Sequence, residues 1–504
     1  MKLLQTFWNK KYSLVFLLSV LLIFQLYKIK PEYLYSSDNL LKLIQAYSLL
    51  ENNFQTESLY YPAKYIDPEY KLYPHFPPMK INGNFLGQYP MFLSLILAPL
   101  LKLFSFEILP YFFLGVCLLV GFLLVYFWDI SKTTQLLLVL GTPFATSGFE
   151  VSEHPYLLLF QTLGLFFYIE KKEIPRFAFL SGIFLGLGVW LRLEVLFFNF
   201  FLFLFISIIR YNLNLFNFMN YEKSVLIGFV IVVVLFFGFN YWNYSHILGP
   251  RYLYKYNQEG FYRGIFEKLQ QAIILLFGWN SKLGYFGYTP LFLLVVIWAF
   301  WKYKTLGELE KIFLLLILFF LLTVAFLAPN DGVVNWGSRY MNLALIPNVL
   351  LFDSLYKKLN SKKVNFFTIL FIIYSTFITN FSWKVIKSSS KLLSNLQKEF
   401  SYCENNLRVF PFQLYAEYQG LDYFKYPSVV VSNLSEYEYL LTKLPSNLTL
   451  CIIEFTENNP TISYLNGIAY KEEDRQAVLE KFQREWKVIK EYKLFFNYIL
   501  LVKK

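Results

Sequence analysis

The sequence is poor in charged residues, cysteine and histidine. Charged residues make up 16% of its 504 residues, whereas soluble globular proteins carry about 25%. Three cysteines exclude a small secreted scaffold held by several disulfides. Three histidines, His75, His154 and His246, show no ligand spacing, so no metal site is predicted. Disorder is excluded as well, because disordered chains combine low hydrophobicity with high charge.

Apolar and aromatic residues are abundant instead, at 56% and 21% of the chain. A soluble protein of this size has too little interior to bury so many of them. They are clustered in runs, which predicts an α-helical polytopic membrane protein, since a spanning helix needs about 20 mostly apolar residues. About eleven spans are predicted: Ser13–Leu26, Leu109–Phe127, Gln135–Phe149, Pro155–Ile169, Phe177–Leu191, Val195–Ile209, Ser224–Phe239, Pro290–Trp301, Ile312–Leu327, Met341–Phe352 and Val364–Phe381.

One further apolar run, Met91–Phe104, contains Pro99 and Lys102 and is predicted to be a re-entrant or interfacial helix. With it left out of the spans, the basic loops fall on one side, and the short loops 150–154 and 328–338 on the other side contain no Lys or Arg. The positive-inside rule then places the N-terminus in the cytoplasm. The net charge of +12 is therefore interpreted as anchoring in a cell (inner or plasma) membrane, not as a nucleic-acid surface.

This topology divides the chain into a transmembrane domain (1–381) and a small C-terminal extracytoplasmic α/β domain (382–504). The transmembrane domain includes a first extracytoplasmic loop (28–89) and the interfacial helix (91–104). Cys403 and Cys451 lie in the C-terminal domain and either pair there or stay as free thiols. The predicted elements of that domain are strands at Ser428–Val431 and Leu450–Phe455, a helix at Glu472–Arg484, and paired strands at Trp486–Tyr492 and Leu494–Val502.

Acidic candidates for a functional site lie at the predicted outer ends of the spans, where ionisable groups are costly unless used or paired. Asp38 follows the first span and is either a catalytic carboxylate or the N-cap of the helix after it. Glu150 and Glu153 lie with His154 in a tight outer turn, where capping of the next helix is the alternative.

Basic and aromatic candidates lie on the same predicted face. Arg192 ends one span, and Arg251 and Arg339 precede apolar sequence. Arginine holds phosphate with forked, charge-assisted hydrogen bonds, although each of these residues could equally anchor a helix at the interface. Tyr89, Tyr252 and Trp336 are candidates for stacking on a sugar, and Tyr340 is a candidate substrate-binding residue. Together these residues suit an amphipathic substrate with a phosphate and a long apolar tail.

The order of these motifs resembles the GT-C superfamily of integral-membrane glycosyltransferases, in particular protein O-mannosyltransferases and the lipid A aminoarabinose transferase. The matching segments, which cover about Ser13–Phe381, are SSDNLLKLIQA with Asp38, GQYPMFLSLILAPLLKLFS, the outer turn with Glu150 and Glu153, LSGIFLGLGVWLRLEVLFF with Arg192, and NWGSRYMNLALIPNVLL with Arg339. The turn reads EVSEHP where the family has a plain Asp motif, so the second acid is either Glu150 or Glu153, with His154 beside it.

The resemblance implies an inverting hexosyl- or pentosyltransferase that uses a polyprenyl-phosphate-linked sugar donor at the bilayer, on the extracytoplasmic face. The acceptor is a lipid, a protein or a polysaccharide, and Asp38 is the expected general base. Some relatives use a divalent cation, but no cofactor is predicted here. Two alternatives remain: a flippase or transporter of lipid-linked sugars, and a ligase or polymerase of surface polysaccharide. Nearly uncharged spans argue against the flippase, and the position of the long loop, directly after the first span, argues against the ligase.

Overall fold

The structure is a computed structural model that describes residues 11–170, 174–213, 220–256, 264–279, 282–330, 339–359, 361–445, 448–459 and 472–503. Most of these residues are helical. In chain order the first helices are α1 (Ser13–Ile29), α2 (Ser37–Glu51), α3 (Met91–Leu103), α4 (Leu109–Trp128), α5 (Lys132–Leu140), α6 (Phe144–Ser147), α7 (His154–Glu170), α8 (Pro175–Leu187), α9 (Glu194–Tyr211) and α10 (Asn220–Tyr244).

The second half of the chain contributes shorter helices and most of the strands. The helices are α11 (Pro250–Tyr256), α12 (Ile265–Leu276), α13 (Tyr285–Tyr288), α14 (Pro290–Trp301), α15 (Glu308–Leu327), α16 (Leu345–Leu359), α17 (Lys362–Phe400), α18 (Gln413–Ala416), α19 (Leu434–Lys443) and α20 (Glu472–Glu485). The strands are β1 (Met79–Ile81), β2 (Asn84–Leu86), β3 (Leu407–Phe410), β4 (Ser428–Val430), β5 (Thr449–Phe455), β6 (Lys487–Lys493) and β7 (Asn497–Lys503).

Most of the apolar runs form helices, but one predicted span is wrong as a single helix. Gln135–Phe149 is divided into α5 and α6 at Pro143, which cannot donate a backbone hydrogen bond. With nine residues, α5 is only about 14 Å long, roughly half the thickness of a hydrocarbon core. Within the described residues, five helices are long and apolar enough to cross a membrane, so the number of eleven spans stays a prediction.

The chain folds as two compact units, and the first comprises residues 1–28 and 108–385. Its closest helix pair is α8 with α10, which meet through glycine. A Cβ atom at Gly182 would lie 2.0 Å from the backbone oxygen of Val225, and one at Gly228 would lie 2.4 Å from that of Phe179. Small residues let helix backbones approach closely in membrane proteins, which explains the glycines of the segment LSGIFLGLG.

The second unit comprises residues 29–107 and 386–504 and contains a five-stranded sheet in the order β4-β3-β5-β7-β6. β3 is parallel to β4 and β5, whereas β7 is antiparallel to β5 and β6. The strands, the helix and the strand pair predicted for the C-terminal segment are therefore confirmed, with α20 as the helix before β6.

Both faces of this sheet are covered by parts of the second unit. On one face, residues 59–73 of the first loop share a hydrophobic core with β3, β5, β7 and α20; Tyr61, Tyr73, Val409 and Phe482 belong to it. On the other face, the end of α17 packs with Phe410 and Ile453. The first loop and the C-terminal strands thus fold around one sheet, although they are about 330 residues apart in sequence.

Cys403 and Cys451 form a disulfide, with their Cα atoms 5.6 Å apart. The bond ties the turn after α17 to the central strand β5, and both cysteines are fully buried. Cys117, in α4, is a buried free cysteine. Of the two alternatives left open by the sequence, the structure therefore shows the pair.

Candidate active site

Glu153 is the centre of a buried ion cluster in the first unit. One of its carboxylate oxygens, Oε1, accepts from Nη1 of Arg192 at 2.8 Å and from Nη1 of Arg251 at 3.0 Å. The side chains of Glu153 and Arg192 are 4% and 3% exposed. Because α7 begins at His154 and Arg192 lies just before α9, the cluster joins two turns that sequence analysis identified separately.

Two further residues complete the coordination of Arg192. Its Nη2 donates to Oε1 of Glu194 at 2.6 Å, and its Nη1 lies 3.4 Å from Nε2 of His154. Arg192 therefore bridges two carboxylates through both ends of its guanidinium. Desolvated charges are stable only when paired and hydrogen-bonded in this way, so the interfacial-anchor alternative for Arg192 is wrong: the side chain is fully buried.

A narrow pocket opens beside this cluster, also within the first unit. Arg192 and Arg339 both lie over the ring of Tyr340, with guanidinium carbons 5.3 and 5.5 Å from its centroid. The hydroxyl of Tyr340 donates to Asn330 at 2.8 Å. The lining residues are His154, Arg192, Arg339, Tyr340 and Asn342, with Leu157, Leu158 and Leu343. A pocket with two guanidinium groups and three leucines offers both charge and apolar surface.

Glu150 lies in the same turn as Glu153 but in different surroundings. Glu150 is partly exposed, whereas Glu153 is buried. Of the two acids in this turn, Glu153 is the one that pairs with the two arginines of the cluster. This pairing favours a structural and electrostatic role for Glu153.

Asp38 lies in the second unit, in the first turn of α2. The N-cap of that helix is Ser36, and α2 begins at Ser37, so the alternative that made Asp38 the N-cap is wrong. An acid in the first turn is favoured by the helix dipole. Asp38 is half-buried, so part of its side chain is exposed.

Tyr89 is held against the same helix. Gln45 donates to the backbone oxygen of Tyr89 at 3.0 Å and accepts from its backbone nitrogen at 2.9 Å. The ammonium of Lys42 lies 5.2 Å from the centre of the tyrosine ring. Tyr89 is 5% exposed, so its ring packs on α2 in this conformation, and its contact with a sugar stays a prediction.

Sequence reasoning missed Lys42 and Gln45, although a signal was present. Asp38, Lys42 and Gln45 follow one another at spacings of four and three residues within an otherwise apolar helix. Such spacing places polar side chains on one helix face. Both residues are buried at 5% exposure, which marks them as parts of the site around Asp38.

The structure therefore brings the predicted residues together in two groups. The first unit contains the cluster and pocket of Glu153, His154, Arg192, Arg251, Arg339 and Tyr340, and the second contains Asp38 and Tyr89. Within the described residues, no group of three His, Cys, Asp or Glu side chains is placed to hold a metal ion. The expectation of a reaction without a metal stays a prediction.

Comparison with solved structures identifies the fold. The chain is similar to the oligosaccharyltransferase of Archaeoglobus fulgidus in its apo form, with a TM-score of 0.50, 11% sequence identity, and coverage of 98% of this chain and 75% of that one. The chain thus shares the fold of that oligosaccharyltransferase, in agreement with the fold expected from the resemblance noted in the sequence. The ArnT protein of Cupriavidus metallidurans, bound to undecaprenyl phosphate, aligns with a TM-score of 0.49 and 9% identity over 97% of both chains. No family model and no curated protein matches the sequence.

Proposed function

We propose that this protein is a membrane glycosyltransferase that moves a sugar from a polyprenyl-phosphate donor to an acceptor on the extracytoplasmic face. The observation that carries the proposal is the pocket of the first unit, where Arg192 and Arg339 lie beside leucines. Guanidinium groups match the phosphate, and an apolar wall matches the start of a polyprenyl chain. The fold is one that also serves an oligosaccharyltransferase, which is consistent with the proposal but does not establish it.

In the proposed reaction, a hydroxyl or amine of the acceptor attacks the anomeric carbon from the face opposite the phosphate. The bond between that carbon and the phosphate oxygen breaks, polyprenyl phosphate leaves, and the configuration at the anomeric carbon is inverted. Asp38 accepts the proton of the nucleophile. Arg339, with Arg192 and His154 beside it, balances the charge that develops on the departing phosphate. Arg251 keeps Glu153 in its charged form and so fixes the electrostatics of the pocket.

Orientation is part of the proposal. Disulfides form and persist in oxidising compartments, so the bond between Cys403 and Cys451 supports an extracytoplasmic second unit. The transfer reaction then takes place on the same side of the membrane as Asp38, which belongs to that unit.

Replacement of Asp38 by Asn tests the function. We expect transfer to fall by about 10²–10⁴-fold, the usual contribution of a positioned base, at an unchanged level of protein in the membrane. Transfer is measured in membrane vesicles from a strain that lacks the chromosomal gene, with polyprenyl-phosphate mannose, glucose and aminoarabinose, each labelled in the sugar, as probes. Glu51→Gln, at the other end of α2, is the control.

The fate of the donor in living cells separates transfer from flipping. Loss of a transferase leaves the lipid-linked sugar accumulated on the outer face and one residue missing from surface glycans. Two outcomes would contradict the proposal. One is donor trapped on the inner face in cells that lack the protein, while transfer stays active in vesicles from those cells; the other is full activity of the Asp38→Asn protein.

A further inference from the structure

Glu417 is a buried acid for which the proposed reaction has no use. It begins the short 3-10 helix Glu417–Phe424 in the second unit and is 2% exposed. Within the described part of the chain, its Oε1 atom has no hydrogen-bond partner. Burying a carboxyl group without full compensation costs stability, so its surroundings bear on whether it has a task.

The surroundings of Glu417 include the start of α2. The Ser37 hydroxyl donates a hydrogen bond to the Glu417 carboxyl group, and the charge of Asp38 acts on the same group. Gly420, with φ 58°, lets the backbone of this turn come close to the chain before α2, since a Cβ atom there would lie 3.2 Å from the backbone oxygen of Tyr35. The turn 417–420 is thus packed directly against residues 35–38.

Ser37 itself has an unusual backbone conformation. Its φ is 46°, in the left-handed region that residues other than glycine adopt rarely and at a cost of about 1–3 kcal/mol. The side chain of the N-cap Ser36 makes no capping hydrogen bond. The bond from Ser37 to Glu417 is therefore the side-chain contact that accompanies this conformation, one residue before Asp38.

The surroundings of Glu417 determine its protonation. Burial, together with the neighbouring charge of Asp38, raises the pKa of Glu417 to about 8, against the opposing effect of the Ser37 hydrogen bond. At neutral pH, Glu417 is thus a neutral carboxylic acid.

The other charged groups on the adjoining elements have partners or targets elsewhere. Asp422, on the same 3-10 helix, pairs with Arg408 of β3 at 3.1 Å, and Glu32 acts on Tyr35. Lys42 lies over Tyr89, one turn after Asp38 in α2. The neighbours Gln397, in α17, and Gln419 are uncharged. Asp38 is therefore the charged group that acts on Glu417.

We propose that Glu417 is a positioning residue of the transfer reaction, which fixes through Ser37 the backbone that carries Asp38. The C-terminal segment then takes part in the chemistry instead of only covering it. This inference rests on the proposed function, because Asp38 is the base there. Glu417 does not touch the reacting atoms; it holds Asp38 in place while neutral and disturbs it by like-charge repulsion when ionised.

The test compares Glu417→Ala and Glu417→Gln in the vesicle assay with the same labelled donors, from pH 6 to about pH 9.5. We expect Glu417→Ala to lower kcat by about tenfold, the size of one lost hydrogen bond, with the KM for the donor changed by less than about twofold. Glu417→Gln keeps a hydrogen-bonding side chain and retains more of kcat than the alanine variant. The wild-type rate declines as Glu417 ionises above about pH 8, and this decline is absent in Glu417→Gln.

The controls separate the inference from the function on which it rests. Glu438→Gln, an exposed acid of α19, is expected to match the wild type at every pH. If Asp38→Asn is inactive while both Glu417 variants behave as wild type, the positioning role is wrong and the proposed function stands. If Asp38→Asn is fully active, the base assignment fails together with the inference. Should the alanine variant not fold, Ser37→Ala and Glu417→Gln decide the matter.

A measurement without substrate gives a second readout on the whole, detergent-solubilised protein. Infrared difference spectra between pH 6 and about pH 9.5 should contain the carbonyl band of a protonated carboxylic acid that disappears with a midpoint near pH 8. The band should be missing in Glu417→Gln and present in Glu438→Gln. A band that persists in Glu417→Gln would overturn the neutral state that the inference requires.

Discussion

Glu153 in the first unit and Glu417 in the second are both buried, at 3% and 2% exposure, but the charges around them have opposite signs. Glu153 lies between Arg192 and Arg251, whereas the charge of Asp38 acts on Glu417. The comparison shows that burial alone does not define what a carboxyl group can do. Glu153 pairs with two arginines, whereas burial, with the charge of Asp38 as a further contribution, makes Glu417 a group that holds its proton near neutral pH.

In the proposed transfer reaction, this contrast divides the work between two kinds of site. A leaving phosphate needs fixed positive charge that does not change with pH, and arginine supplies it. A general base needs a carboxylate that can take up a proton; Asp38 is half-buried, whereas Glu153 is buried between two arginines. Under the proposed function, the ion cluster serves phosphate binding, and Asp38 with Glu417 serves proton transfer.

The largest effect on stability is expected for Arg192→Met. This change removes the cation shared by the buried Glu153 and the partly buried Glu194, and breaking a buried pair costs about 3–5 kcal/mol. Thermal unfolding in detergent, followed by circular dichroism, should show a large decrease in melting temperature.

Arg484→Met is the matched control for this change. Arg484 pairs with Glu480 on the surface of α20, where the two side chains are 77% and 60% exposed. Such pairs contribute about 0–1 kcal/mol, so the melting temperature should hardly change. Equal effects of the two substitutions would contradict the buried ion cluster.

Much of the helical fold was predictable because apolar runs of sufficient length specify helices in a membrane. The division of Gln135–Phe149 was the exception, and Pro143 was its visible cause. The shared core of the first loop and the C-terminal sheet was not predictable. Tyr61 and Tyr73 contact strands more than 300 residues later in the chain, and composition carries no information about such pairing.

The site was predictable only in part, for a related reason. Asp38, Arg192 and Glu153 were detectable because they interrupt or end apolar sequence. Glu417 lies in a mixed polar segment, where an acid is unremarkable until burial is known. That Glu153 rather than Glu150 carries the ion pairs with Arg192 and Arg251 also depends on three-dimensional contacts, which two acids three residues apart do not reveal.

The second unit contains the disulfide between Cys403 and Cys451. Removal of the disulfide with Cys451→Ser should destabilise the second unit by about 2–4 kcal/mol, because the bond closes a loop of 48 residues. A reducing agent should lower the melting temperature of the wild type to that of the variant and leave the variant unchanged.

Cys117→Ser is the control, since Cys117 is a buried free cysteine of the first unit. It should remain sensitive to the reducing agent. Thiol labelling of the unfolded, unreduced protein should modify Cys117 and neither of the paired cysteines; modification of all three would show that the pair does not form in the membrane of the cell.

Replacing each of the two glutamates by glutamine tests the comparison between them directly. The pKa of Glu417 is raised from 4.5 to about 8 in the folded protein, so the folded state binds more protons than the unfolded state between these values. Wild-type stability therefore falls as the pH rises through this window, by about 1.4 kcal/mol for each pH unit at most. Glu417→Gln lacks this dependence, so it should melt like the wild type near pH 4.5 and above it near pH 8. Glu153→Gln leaves the buried Arg192 and the partly buried Arg251 with one carboxylate fewer and should melt below the wild type at both pH values. A gain of stability in Glu417→Gln together with a loss in Glu153→Gln near pH 8 would support the different roles of the two acids. A loss of stability in both variants would mean that Glu417, like Glu153, is needed in its charged form.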